Sequence, residues 1–354
     1  MESSFAYDKV AVGSDFISRK KELDIFVKTI IESSKGVSIC GAPKIGKESL
    51  VQKGLSILKT RKYDYILIEM DLFKIRSYKQ FINEFGRIML AYLQEFEKYA
   101  IIPFDVQLEK LTDITILNLP ENVAEKAGKT LIIYFKEFQN ILSWEGGSTI
   151  ITHLEKQWMK LHKTKFIISG SFVNSMKYIF EEKKYFYYLT ENIMLDKLNE
   201  RECCDYIYTG FINSGRVIEQ EQAKSIYEIV DGNPWYLKHF CSICLSMPIG
   251  YVNQNVVLQG RDSLLSIHIP RFKQIMMDLT DNQINFLKAV LDEVPRFSSS
   301  DILEKYKLNS SANVFRLKDA LKKKEVVTFN KDDNASIVDP LFKYWLNNYY
   351  FKQI

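Results

Sequence analysis

Apolar residues follow two rhythms along the first 200 positions. Gly36-Val37-Ser38-Ile39-Cys40, Tyr65 to Asp71, Thr130-Leu131-Ile132-Ile133-Tyr134-Phe135 and Lys165 to Ser171 are short, nearly continuous apolar runs, and Tyr187 to Leu195 suits a fifth. Their length and their branched or aromatic content predict buried strands. Between them, Glu48 to Leu58 and Tyr78 to Phe96 repeat apolar residues at helical spacing. Strands alternating with helices predict an α/β domain with a parallel sheet, whose ligands bind beyond the carboxyl ends of the strands.

From Asn199 onward the pattern turns helical, with candidate helices over 200–211, 219–230 and 235–245, the last two separated by the turn Asp231-Gly232-Asn233-Pro234. Three more follow over 280–290, 299–306 and 310–323. Val326 to Phe329, the turn-rich Asn330 to Asn334 and Ala335 to Val338 then read as a hairpin. Three helices and a short hairpin make a winged helix. The expected division is an α/β domain over 1–197, a helical lid over 198–279 and the winged helix over 280–354.

The first apolar run leads into Gly41-Ala42-Pro43-Lys44-Ile45-Gly46-Lys47, and a helical pattern follows it. This is the strand, loop and helix order of a P-loop, G-x-x-x-x-G-K-[ST], except that Glu48 occupies the hydroxyl position. In such a loop the backbone N–H groups and the helix N-terminus form a concave anion site, and the lysine adds a point charge for the outer phosphates. A plain glycine-rich turn is the rival reading. The fold class expected is therefore α/β, a P-loop NTPase sheet flanked by helices, followed by the lid and the winged helix.

Composition changes this picture little. The 354 residues, 46% hydrophobic and 26% charged, suit a chain with a large core and more than one domain. No apolar run is long enough to cross a bilayer, and residues 1–12 lack a charged region followed by an apolar core, so the expected location is the cytoplasm with no membrane partner. Cys241 and Cys244 form a C-x-x-C pair and Cys203 and Cys204 are adjacent, but no second pair completes a zinc set, so buried thiols are expected. His153, His162, His239 and His268 show no metal-ligand spacing and are expected in ordinary packing or surface roles. With 48 basic and 44 acidic residues, the charge is too balanced to require nucleic acid.

The order of motifs resembles the archaeal-type ATPases, a STAND branch of the AAA-like P-loop NTPases. Phe16-Ile17-Ser18-Arg19-Lys20-Lys21-Glu22-Leu23 resembles the entry motif F-x-G-R-x-x-E-L, with Ser18 in place of glycine. Glu137-Phe138-Gln139 matches the end of a Walker B segment, and Ser169-Gly170-Ser171 resembles a sensor strand. Gly232-Asn233-Pro234-Trp235-Tyr236-Leu237 resembles a G-x-P-x-x-L lid motif, and Asp339 to Leu346 a D-P-x-x-x-x-W ending. The resemblance implies an ATP or ADP site formed by Gly41, Ala42, Pro43, Lys44, Ile45, Gly46, Lys47, Glu48 and Ser49, with Arg19 near the base and Pro234 contributed by the lid. It also implies Glu137 as the residue that polarises the attacking water.

Where the family seats Mg²⁺, this chain has Glu48 after the P-loop lysine and Lys136 in place of the Walker B aspartate. The resemblance sets these two positions facing each other, so a Glu48–Lys136 salt bridge at the altered metal site is one expectation. A first-turn carboxylate at Glu48 with a solvent-facing Lys136 is another, and a metal held through Glu48, Asp71 or Glu137 a third. The function expected is an ATP-binding regulatory switch with weak or absent Mg²⁺-dependent hydrolysis and an unidentified protein partner. The alternatives are an active ATPase using Glu137 with substituted ligands, and a DNA-binding regulator. For the last, Arg316, Lys318, Lys322, Lys323 and Lys324 lie on the probable recognition helix, but 280–354 carries 12 basic and 10 acidic residues, 12 − 10 = +2.

Overall fold

A computed structural model describes residues 5–96, 108 and 110–352. Its two compact units do not follow chain order. One comprises Lys20–Gly41 and Leu50–Leu195; the other joins the residues up to Arg19, Ala42–Ser49 and everything from Asp196 on. The P-loop thus clusters with the lid and winged helix.

The first unit is built on a five-stranded sheet, β1 (Gly36–Gly41), β2 (Tyr65–Asp71), β3 (Thr130–Lys136), β4 (Thr164–Gly170) and β5 (Thr190–Leu195). The strand order is β2-β3-β4-β1-β5 and every pairing is parallel. All positions of β1 and β4 are buried, as continuous apolar runs demand of central strands covered on both faces. Helices α1 (Lys20–Glu32), α2 (Lys47–Thr60), α3 (Tyr78–Phe96), α4 (Asp113–Ala127), α5 (Gly147–Trp158) and the short α6 (Val173–Lys177) connect the strands. The core on one side of the sheet is aromatic. Trp158 stacks on Phe166 with centroids 4.4 Å apart and on Phe135 at 5.2 Å, all three fully buried.

The second unit contains α7 (Glu200–Asn213), α8 (Gln220–Val230), α9 (Pro234–Ser246) and α10 (Gln254–Met277), with a two-residue parallel pairing of β6 (Val217–Ile218) and β7 (Tyr251–Val252). Then come α11 (Asp281–Leu291), α12 (Ser300–Lys305), α13 (Ser311–Lys323), the antiparallel hairpin of β8 (Val327–Phe329) and β9 (Ala335–Ile337), and α14 (Pro340–Trp345). One apolar core runs through all of these helices. Phe272 of α10 lies 5.3 Å from Phe342 and 5.7 Å from Trp345 of α14, so the long helix belongs to the winged-helix core as much as to the lid. The segment before α1 packs into this core. Phe5 is fully buried, its ring 4.9 Å from Phe211 of α7. Among the described residues no helix is long and apolar enough to cross a membrane.

A buried lysine ties α1 to the sheet. The last turn of α1 carries no basic residue, so its unpaired carbonyls need a donor from elsewhere. Lys165 of β4 supplies it, its ammonium donating to the carbonyls of Ile30 and, at 2.6 Å, Ser33. Lys165→Met keeps the stem but leaves those carbonyls unpaired, and is expected to lower unfolding stability by about 1–3 kcal/mol. A urea midpoint equal to that of the unaltered chain contradicts this assignment.

Candidate functional site

The P-loop turns on two left-handed residues, Lys44 with φ +63° and Gly46 with φ +96°. Ile45 donates its N–H back to Ala42 at 3.3 Å, and α2 begins at Lys47. Glycine adopts the second angle freely; lysine does not. Lys47 is buried, and its ammonium donates to the Ala42 carbonyl at 2.8 Å. Glu48 is exposed in the first turn of α2, where the helix dipole favours a carboxylate. Ser49 Oγ accepts from the Ala11 N–H at 3.0 Å.

The lid turn packs directly on this loop. Asp231 and Gly232 are both left-handed, at φ +44° and +67°. A Cβ at residue 232 would fall 2.6 Å from the Leu198 carbonyl oxygen, so only glycine fits. Asn233 caps α9 by accepting from Trp235 N–H at 3.0 Å and Tyr236 N–H at 3.2 Å, and Pro234 takes the first helical position. Pro234 Cγ lies 3.8 Å from where a Cβ on Gly46 would stand. Beside it, the Lys44 ammonium sits 3.2 Å from the centroid of the Trp235 indole.

Trp235 belongs to a cluster of rings. Tyr7 stacks on His239 at 4.2 Å and meets Trp235 edge-on at 5.7 Å; His268 meets Trp235 at 5.6 Å and Tyr236 at 5.2 Å, again edge-on. Although they lie on different helices, the two histidines are 5.9 Å apart, and both are buried. The Tyr236 hydroxyl donates to Asp339 at 2.9 Å and accepts from Arg271 at 2.9 Å, while Arg271 also pairs with Asp339. Burial lowers the Lys44 pKa, with repulsion from Arg271 adding to it and Asp339 opposing. Arg19, at φ +88°, donates to the Asp196 carbonyl at 2.6 Å and to the Ile45 carbonyl at 3.4 Å. Ser18 is left-handed too, at φ +42°, the geometry for which glycine is the usual residue, and its hydroxyl donates to Glu202.

At the carboxyl ends of the strands, Glu137 adopts φ +52° and its two carboxylate oxygens are both engaged. Ser171 Oγ donates to one at 2.7 Å and Gln139 Nε2 to the other at 2.7 Å. Gly170 leaves room for these side chains: a Cβ would stand 2.3 Å from Gln139 Oε1 and 2.4 Å from Met176 Sδ, so a larger residue would have to displace both. Lys136, paired in register with Asp71, forms a 2.9 Å ion pair with Glu69 and lies 5.2 Å from the Tyr134 ring. Glu69 is a partner the sequence analysis did not identify. Its position two residues before Asp71 on a strand, hence on the same face, was the available signal. Asp71 caps the following turn by accepting from Phe73 N–H at 2.8 Å. Among the described residues no three His, Cys, Asp or Glu side chains gather as a metal-binding group. The five cysteines are buried and none is in a disulfide, and burial pushes the Cys203 and Cys244 thiols up to about 12.

On the winged helix, most of the basic residues proposed for nucleic acid have protein partners. Lys318 pairs with Asp333 and lies 5.2 Å from the Phe297 ring and 5.1 Å from that of Phe329; Lys323 pairs with Asp319 at 2.9 Å; Lys324 donates to the Asp278 carbonyl at 2.9 Å. Phe315 stands 74% exposed beside Arg316 on α13.

A family model described as a probable winged helix domain matches residues 270–348, beginning within α10. Among curated proteins no sequence matches the chain. Solved structures do. A Walker-type ATPase of Pyrococcus abyssi is similar over 97% of this chain and 99% of its own, at 15% identity and a TM-score of 0.71. The ORC2 protein of Aeropyrum pernix, solved as ADPNP-ADP complexes, is similar over 99% of this chain and 98% of its own, at 12% identity and a TM-score of 0.63. CDC6P from Pyrobaculum aerophilum follows over 96% and 95%, at 12% identity and a TM-score of 0.52. At such identities the likeness is one of fold: a P-loop ATPase sheet with a C-terminal winged helix.

The ring cluster has a titration signature. Burial, then the charges of Arg271, Lys44 and His239, hold the His268 pKa down to about 4 against the opposing pull of Asp339. The unfolded chain takes up that proton near the ordinary value of 6.5, so the unfolded state binds more protons between the two values. Stability is therefore expected to fall as pH drops from about 6.5 towards about 4, and to be insensitive to this group above that window. In an NMR titration the His268 ring resonances should move with a midpoint near 4; a midpoint near 6.5 contradicts the burial argument.

Proposed function

We propose that the chain is an adenine-nucleotide-binding regulatory switch of the STAND type, with weak or absent Mg²⁺-dependent hydrolysis. The observation that carries this reading is the P-loop itself, with its left-handed turn at Lys44 and Gly46, the buried Lys47 at the head of α2 and Pro234 of the lid against Gly46. A loop of this kind ahead of a helix N-terminus suits a di- or triphosphate, and the Lys47 ammonium, on the Ala42 carbonyl in this structure, is the cation at hand for one. The A. pernix structure in ADPNP-ADP complexes supports adenine nucleotide as the ligand class.

The donor set fits Mg²⁺ poorly. A protonated lysine cannot ligate a cation, and Lys136 is held in an ion pair with Glu69. Glu48, in the hydroxyl position, is exposed. Phosphoryl transfer depends on charge placement around the leaving phosphate, so a chain without its usual metal seat is suited to holding nucleotide rather than turning it over. An active ATPase is the second reading, favoured by one observation: Glu137 is oriented by two hydrogen bonds, as a residue that positions water must be. DNA binding is the weakest, because Lys318, Lys323 and Lys324 already have partners.

Titration calorimetry with ADP tests the reading. Binding is expected in EDTA and to change little on adding Mg²⁺, while Lys47→Ala abolishes it. Glu48→Thr combined with Lys136→Asp is expected to introduce Mg²⁺ dependence. Binding by the unaltered chain only in Mg²⁺, or phosphate release that Glu137→Gln abolishes, contradicts the proposed switch in favour of the ATPase.

A further inference from the structure

The lid turn grips two elements with consecutive residues. Trp235 takes the Lys44 ammonium on its indole face. Tyr236 holds the last helix of the winged helix: its hydroxyl bonds Asp339 and Arg271, and Asp339 caps α14 by accepting from Leu341 N–H at 3.0 Å and Phe342 N–H at 3.1 Å. The Trp235 and Tyr236 rings are 5.3 Å apart and edge-on, and His268, three residues before Arg271 on α10, is edge-on to both. Packed rings of this kind move between discrete arrangements rather than by continuous deformation. A swing of Trp235 therefore disturbs Tyr236 or His268.

The other end of the chain of contacts is equally constrained. Lys44 has a left-handed backbone, so its side-chain direction depends on the loop keeping that turn. Its ammonium also stands within the fields of Arg271, which repels it, and Asp339, which attracts it. The loop's conformation and the Asp339–Arg271 pair thus act on the same charge.

We propose that Lys44 is a tether, through Trp235 and Tyr236, that makes the shape of the P-loop and the seating of α14 a single equilibrium. Reading nucleotide occupancy at the winged helix rests on the proposed function; the tether itself does not require nucleotide.

Hydrogen exchange on the full chain without nucleotide tests it. Lys44→Met keeps the stem and removes the charge, and is expected to speed exchange of the Leu341 and Phe342 amides by at least about threefold. Tyr236→Phe keeps the ring and removes the hydroxyl, and is expected to speed exchange at Ile45, which donates within the P-loop. Lys44→Arg keeps the cation on the indole and is expected to match the unaltered chain. The tether is overturned if Lys44→Met acts only on residues 42–49 and Tyr236→Phe only on α14, or if Lys44→Arg behaves as Lys44→Met does. Coupled exchange in a protein that fails to bind ADP sustains the tether and removes the nucleotide reading; ADP binding with uncoupled exchange does the reverse.

Discussion

Lys44 holds a backbone angle that lysine avoids, and the direction of the P-loop amides depends on it. A non-glycine residue in the left-handed region costs roughly 1–2 kcal/mol. A partly desolvated cation on an indole returns about 0.5–2 kcal/mol. The two are of the same order, so the contact with Trp235 at 3.2 Å is sufficient to offset the strained turn. The consequence is that the loop's shape is not determined locally. It is set with a residue 191 positions away in the chain, Trp235, which lies in the same compact unit as Ala42–Ser49.

Charge placement at the strand ends points the same way. Lys136 sits where a metal ligand is expected from the resemblance, and Glu69 answers it across the β2–β3 pairing, so the ammonium is compensated within the sheet. Half-buried charges persist when they are paired. Glu137, one residue later, keeps both carboxylate oxygens bonded to Ser171 and Gln139. On the proposed reading, an oriented carboxylate beside a lysine where the resemblance expects a metal ligand suits signalling by occupancy rather than turnover.

Much of this was legible in the sequence, for physical reasons. Apolar runs located all five strands within a few residues; the central β1, β3 and β4 are nearly continuous runs because they are covered on both faces, and the edge strands β2 and β5 are apolar enough to show although partly exposed. The hairpin and three helices of the winged helix followed from turn residues and helical spacing. Helix α1 was passed over as part of the entry motif, and α4 and α5 were not singled out. Helix α10 was submerged in a generally helical stretch, because it contains Pro270 and faces two neighbours, so no single apolar stripe marks it. The pairing of β6 with β7 spans two residues each, too short for a period to show. At the site, the P-loop and lid turn were recognisable as motifs. What packs them together was not: Tyr7, His239 and His268 are ordinary residues in sequence and become neighbours only through the helix crossings. Glu69 lies within the strand run 65–71, where nothing in the pattern sets it apart.

The central claim is that the backbone cradle from Gly41 to Lys47 receives the phosphates of an adenine nucleotide without help from a metal. Amide NMR of the full chain, titrated with ADP in EDTA, tests it most directly. The account requires that the largest shifts fall on the amides of Ile45, Gly46 and Lys47 at the turn into α2, and that the Trp235 indole N–H responds with them. Shifts that appear only when Mg²⁺ is added, or that spare these amides, contradict it.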